Sequence, residues 1–143
     1  MKITRSANAQ WQGTIKEGGG NISTQSGALK EQPYGFNTRF EDKVGTNPEE
    51  LIGAAHASCY SMALSLNLTE AGFTPTQLDT KAEVILEKDD GGFSITTVHL
   101  TVNAKVPDLD AETFSQLAEK TKDECPVSKV LNADISLKAE LYQ

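Results

Sequence analysis

Eighteen consecutive residues without a formal charge, Leu51 to Leu68 (LIGAAHASCYSMALSLNL), most restrict what this chain can fold into. A stretch of that length is long enough to raise the question of a membrane span. Its composition argues against one, because Ala and Gly, three Ser, His56 and Asn67 dilute the apolar content. The stretch is instead expected to form a helix over about residues 48–71. Asn47 suits the N-cap and Pro48 the first helical position, while Glu49 and Glu50 sit at the positive end of the helix dipole. Gly72 suits a C-terminal stop, and Pro75 prevents resumption. The middle of this helix is apolar or small on nearly every side, which predicts burial all round. A chain of 143 residues has few ways to surround so long a helix by itself, so packing against a second copy, a homodimer, is expected.

The rest of the chain reads as one α+β domain, residues 1–143. Before the helix, NAQWQGTIKEGGGNISTQSGAL alternates as strands around a Gly-Gly-Gly turn. KEQPYGFNTRFEDKVGTNP reads as a loop-like connector holding Arg39, one of only two arginines. After the helix, two long strands alternate through Leu78, Thr80, Ala82, Val84, Leu86 and through Ser94, Thr96, Val98, Leu100, Val102. The run Lys88–Gly92 supplies their turn. Asp110 caps a helix with Phe114, Leu117, Ala118 and Thr121 on one face. A short helix PVSKVL follows Cys125, and ADISLKAELYQ closes the chain as a strand.

Net charge and cysteine usage narrow the function classes. At −7 the chain gains nothing from counterion release on nucleic acid and is repelled by anionic membrane surfaces, so neither is an expected partner. The opening MKITRSANAQWQG has no apolar segment of the secretory type, which places the chain, as an expectation, in the thiol-reducing cytoplasm. Cys59 and Cys125 stand 66 residues apart with no C-x-x-C. A transient redox pair, a metal site shared with His56 and His99, and two inert buried thiols are all compatible with that count. Cys125 directly precedes Pro126, at the N-cap of a helix, where backbone N–H groups favour a thiolate. His56 lies three residues before Cys59 and can share its face. No oxyanion-hole signature accompanies a Cys–His dyad, and His56 is expected to be a hydrogen-bonded core residue.

A buried cysteine that must react needs a positive neighbour, because burial alone raises its pKa. Arg39 is the natural candidate, held by a bidentate carboxylate from Glu49 or Glu50. Glu49 precedes Cys59 by ten residues, about 15 Å of helix rise, so the two cannot meet within one straight helix. In a two-fold dimer with antiparallel long helices, Glu49 of one copy can approach Cys59 of the other.

The run QPYGFNTRFEDKVGTNPEELIGAAHASCYSMALSL, with CPVSKVL near the end, resembles the OsmC/Ohr family and its OsmC branch. The likeness extends from Trp11 to the last strand, with Ser58 and Tyr60 as small departures beside the thiol. It implies antiparallel sheets around long buried helices in an intertwined homodimer. It also implies a thiol-dependent peroxidase that reduces organic hydroperoxides in oxidative and osmotic stress defence, without haem, flavin or metal. By the same resemblance Cys59 matches the peroxidatic cysteine, Cys125 the resolving one, Glu49 the glutamate of N-P-E, and Arg39 the arginine of the connector. The implied cycle runs through a Cys59 sulfenic acid and a Cys59–Cys125 disulfide, reduced by an external dithiol such as a lipoyl group on a carrier protein. Met62 and Leu66 near Cys59 suit an alkyl hydroperoxide. Two other classes share these residues: a redox-sensing thiol protein, and a non-catalytic dimer that binds an apolar ligand.

Overall fold

The computed structural model describes residues 1–142, and its contacts divide the chain into two compact units, Met1–Leu51 and Ile52–Gln143. The first unit holds an antiparallel sheet of order β1-β2-β3, from Ala7–Gln12, Gly19–Thr24 and Gln32–Tyr34. The β1–β2 turn occupies residues 13–18, closed by the Gly18 N–H donating to the Thr14 carbonyl at 2.7 Å. The glycine run is therefore not the turn expected from sequence, since Gly19 and Gly20 already lie in β2. Close packing is the reason: a Cβ on Gly20 would come within 1.9 Å of the Gln10 carbonyl oxygen across the ladder.

The connector after β3 is also more ordered than expected. A short helix α1 (Phe36–Phe40) carries Arg39. Thr38 caps its start, its Oγ1 accepting from the Gly35 N–H at 2.8 Å and donating back to the Gly35 carbonyl at 3.0 Å. The long helix α2 (Pro48–Glu70) then begins where the sequence places it. The Asn47 Oδ1 accepts from the Glu50 N–H at 2.8 Å, satisfying one orphan donor of the first turn. At the other end Gly72 adopts φ +93°. Its N–H and that of Phe73 return to the Thr69 and Leu68 carbonyls, a Schellman stop.

In the second unit a hairpin, β4 (Gln77–Asp89) and β5 (Gly92–Lys105), turns at Asp90–Gly91, with the Asp89 carboxylate accepting from the Gly91 N–H at 2.7 Å. A register shift between Ile85 and Leu86 pairs Leu86 with Ile95. It corrects the expected phase of β5: Val98, Leu100 and Val102 are buried as predicted, whereas Ser94 is exposed. Helices α3 (Ala111–Glu124) and α4 (Pro126–Val130) follow. They form a crossover that returns the chain to run parallel to β5 as β6 (Asp134–Tyr142). The second sheet, of order β4-β5-β6, is thus mixed, not antiparallel throughout. The last residue of the predicted closing strand, Gln143, lies outside the described residues.

The hydrophobic core is built from Tyr60, Leu64 and Leu68 of α2, from Val98, Leu100, Val102 and Ala104 of β5, and from Phe114 and Ala118 of α3. Fully burying one such side chain stabilises the fold by about 1.5–3 kcal/mol. Polar contacts fix the register of α2. The Tyr60 hydroxyl donates to the Ala118 carbonyl at 3.0 Å, Asn67 donates to Thr121 Oγ1 at 2.7 Å, and Ser61 meets Thr80 at 2.7 Å. Burial, with Glu119 and Cys125 nearby, pushes the Tyr60 hydroxyl well above its usual range and keeps it a donor. Within one chain α2 buries one face, Gly53, His56, Tyr60, Leu64, Asn67 and Leu68. Met62 and Leu66 are 75% and 58% exposed. Among the described residues no helix is long and apolar enough to cross a membrane.

Candidate functional site

The four predicted site residues come together as two pairs, one in each unit. In the first unit α1 and the first turn of α2 meet. The Asn47 amide, besides capping α2, donates to the Thr38 carbonyl at 3.2 Å, which sets the segment carrying Arg39 beside the turn carrying Glu49. The Arg39 Nε donates to both Glu49 carboxylate oxygens at 3.1 Å, and Nη2 donates to Oε1. This is the bidentate fork that orients a guanidinium plane. Glu50 is otherwise engaged, accepting from the Thr46 hydroxyl at 2.9 Å. Of the two glutamates left open by sequence, Glu49 is therefore the partner. The guanidinium also lies 5.4 Å from the Phe40 ring centroid, within cation–π range. It lines a small cavity of about 140 Å³ with Trp11, Tyr34 and Phe36.

The second pair is the thiols. Cys59 sits mid-helix on α2, half-buried, and Cys125 is fully buried; both are free. Cys125 is at once the last cap of α3, its N–H donating to Thr121 at 2.9 Å, and the N-cap of α4, its carbonyl accepting from Lys129 at 3.1 Å. That double role explains the Cys-Pro step: Pro126 occupies the first helical position, where no N–H is needed. Burial pushes the Cys59 thiol up. A hydrogen bond from the Val127 N–H, a free donor of the first turn of α4, pulls it down, and the adjoining Cys125 thiol pushes it up again. The net direction is upward, so nothing within this unit makes Cys59 a ready thiolate. A cleft of about 530 Å³ opens beside it, lined by Ser58, Met62, Ala63, Leu66 and Pro126. Met62 and Leu66, singled out from sequence, are the apolar walls of that cleft.

His56 is fully buried, and its Nε2 stands 2.7 Å from the Ser128 hydroxyl of α4. It is the hydrogen-bonded core residue expected, with a partner the sequence reading did not name. Val127 was equally missed, although both lie in the C-P-V-S run that marked Cys125. His99 is exposed and bonds Ser136 on β6. Among the described residues no three His, Cys, Asp or Glu side chains are grouped as a metal would require.

Burial holds the His56 imidazole below its usual pKa, so it stays neutral in the fold. The unfolded chain takes up a proton there below about pH 6.5, and the native state does not until lower pH. Stability from this group is therefore complete above pH 6.5 and lost as pH falls toward the folded pKa, by at most about 1.4 kcal/mol per pH unit. Urea midpoints at pH 7 and pH 5.5 are expected to differ less in His56→Gln than in the parent chain.

Comparison with known proteins follows the same lines. The family model described as OsmC-like protein matches residues 40–140. The chain is 58% identical to peroxiredoxin OsmC of Escherichia coli (strain K12) over 141 residues, 99% of each chain. It is 32% identical to the organic hydroperoxide resistance protein OhrB of Bacillus subtilis (strain 168) over 123 residues, 85% of this chain and 88% of OhrB. The crystal structure of the Bacillus subtilis OhrB superposes with a TM-score of 0.68 at 28% identity, covering 96% of this chain and 98% of that one. An organic hydroperoxide resistance protein from Elizabethkingia anophelis superposes with a TM-score of 0.73 at 23% identity, covering 99% and 100%, a likeness of fold. With a matched family model over most of its length and a full-length relative at this identity, the chain belongs to the OsmC family.

Proposed function

We propose that this chain is a thiol-dependent peroxidase of peroxide stress defence, reducing organic hydroperoxides to alcohols. The observation that carries the reading is the thiol pair: two free cysteines distant in sequence, adjoining in the fold, at the edge of an apolar cleft. The names of the relatives, a peroxiredoxin and organic hydroperoxide resistance proteins, support the same class.

The chemistry follows from the groups present. The Cys59 thiolate attacks the terminal oxygen of R–O–OH, the O–O bond breaks, and the alkoxide leaves and takes a proton to become the alcohol. Sulfur is oxidised by two electrons to the sulfenic acid. Cys125 then attacks that sulfur, a disulfide forms and water leaves. An external dithiol, for which a lipoyl group is a suitable class, restores both thiols by exchange. Sulfur supplies both electrons, so the cycle calls for no bound cofactor.

The cleft beside Cys59 favours an alkyl or aryl hydroperoxide over hydrogen peroxide, because Met62 and Leu66 gain from covering an apolar group. The reading places the chain in a reducing compartment, the cytoplasm, where the dithiol is regenerated.

The thiolate requires a positive charge, and in this reading Arg39 supplies it across a homodimer. Glu49 and Cys59 are ten residues apart on α2, about 15 Å of rise. Two copies with antiparallel α2 helices would bring the Arg39–Glu49 fork of one to Cys59 of the other. Such a dimer would also cover the exposed Met62–Leu66 face of α2.

One equivalent of cumene hydroperoxide added to the reduced protein is expected to remove both thiols and to yield a Cys59–Cys125 peptide on non-reducing digestion. Unchanged thiol titre would count against the reading and favour an inert apolar-ligand binder.

A further inference from the structure

Helix α4 follows directly on the second thiol, Cys125, which is its N-cap. It is five residues long, too short to be stable by itself, and none of its residues is fully buried. Val130 on it is 76% exposed. Val127 packs against the core, but a single short turn with one such contact still opens locally at low cost. The thiols nevertheless adjoin in the folded chain, and the Val127 N–H reaches Cys59.

The hydrogen bond between His56 and Ser128 adds a directional restraint to the Val127 contact. On α2, His56 is three residues before Cys59; on α4, Ser128 is three residues after Cys125. Residues three apart share a helical face. The two contacts, His56 with Ser128 and Cys59 with Cys125, are thus successive rungs between the same two elements, running in opposite directions along them. A rung fixed at 2.7 Å limits how far the next can open.

The polar rung is kept at a cost. His56 is fully buried and its Nδ1 has no hydrogen-bond partner. An orphaned N–H would be worse than an orphaned lone pair, so the favoured tautomer carries its proton on Nε2 and donates to Ser128 Oγ. An apolar pair would have avoided the orphan altogether.

We propose that His56 and Ser128 are positioning residues whose hydrogen bond holds α4 on α2, so that Cys125 is in place to close the disulfide on Cys59. The proposal deepens the peroxidase reading and rests on it for its biological use, but it concerns disulfide closure, which can be driven without peroxide. Glutathione disulfide converts Cys59 to a mixed disulfide with release of glutathione. The Cys125 thiolate then attacks the Cys59 sulfur, and a second glutathione thiolate leaves.

The experiment follows both steps by intact mass in the parent chain, Ser128→Ala and Ser128→Thr. Ser128→Ala removes one hydroxyl and is expected to slow closure about five- to tenfold, the worth of a hydrogen bond. It should leave the first step unchanged, and Ser128→Thr, which keeps the hydroxyl, should restore closure. A purely structural contact would lower the unfolding midpoint without separating the two steps. Closure at the parent rate in Ser128→Ala, equal slowing of both steps, or no rescue by threonine would overturn the proposal. A parallel arm with excess cumene hydroperoxide is expected to give more Cys59 sulfinic acid in Ser128→Ala, because the sulfenic acid waits longer for Cys125. If the parent consumes no peroxide while the glutathione arm behaves as expected, the positioning role stands and the peroxidase reading falls.

Discussion

Replacing Cys59 by serine is expected to reduce organic hydroperoxide consumption roughly a thousandfold or more, to the level of a protein-free control. The substitution exchanges sulfur for oxygen in a side chain of nearly the same shape, so α2 and its core face, Tyr60, Leu64 and Leu68, keep their packing. What is lost is the thiol sulfur at the cleft, the group there that can ionise and then accept an oxygen atom. Cys125, fully buried behind Cys59, is not expected to substitute for it. The measurement is loss of cumene hydroperoxide in the presence of dihydrolipoamide, with circular dichroism to show that the variant is folded. Consumption within a few-fold of the parent would remove Cys59 from the chemistry.

The second large effect is expected from Arg39→Gln. Within its own unit Cys59 is pushed upward by burial, and the Val127 N–H offsets this only in part. In the proposed dimer Arg39 supplies an opposite charge to Cys59, and such a charge within a few ångströms lowers an acid's pKa by about 1–3 units. Removing it should therefore slow reaction with peroxide about 10- to 1,000-fold at pH 7. The sign gives a sharper test than the size. The deficit should shrink as pH rises, because hydroxide restores the thiolate that the guanidinium no longer stabilises. A misfolded variant would not recover in that way. Arg39→Lys should recover only part of the rate, since an ammonium cannot make the two-pronged contact with Glu49. A pH–rate profile for Cys59 that is unchanged in Arg39→Gln would dissociate the guanidinium from the thiol.

Much of this fold is legible in the sequence where local chemistry decides. Asn47, Pro48 and Gly72 mark the ends of α2 because caps are set by adjacent residues. Asp110 marks α3 for the same reason, its carboxylate accepting from the Thr113 N–H at 3.0 Å. The readings that needed correction depend on distant partners. β6 pairs parallel to β5 only because α3 and α4 carry the chain back, and nothing within DISLKAELY distinguishes the two directions. The phase slip between Ile85 and Leu86 is a property of the pair of strands, not of either alone. Gly19 and Gly20 read as a turn until the Gln10 carbonyl is seen against Gly20.

The site divides in the same way. Arg39, Cys59 and Cys125 stood out as scarce, chemically capable residues, while Glu49 was singled out from Glu50 only by the resemblance to the N-P-E motif. That Glu49 and not Glu50 holds Arg39 follows from Thr46 engaging Glu50, a contact no spacing rule supplies. Ser128 and the Val127 N–H went unnamed because their roles arise only when α4 docks on α2, bringing together residues 72 apart in the chain.

The central claim is that Cys59 and Cys125 turn over as a peroxidase, and the most direct measurement is steady-state hydroperoxide consumption by the parent chain with dihydrolipoamide in excess. The expected result is many equivalents of cumene hydroperoxide reduced per chain, faster than hydrogen peroxide, and abolished in Cys59→Ser. Consumption that stops after a single equivalent, or that persists without Cys59, would contradict it.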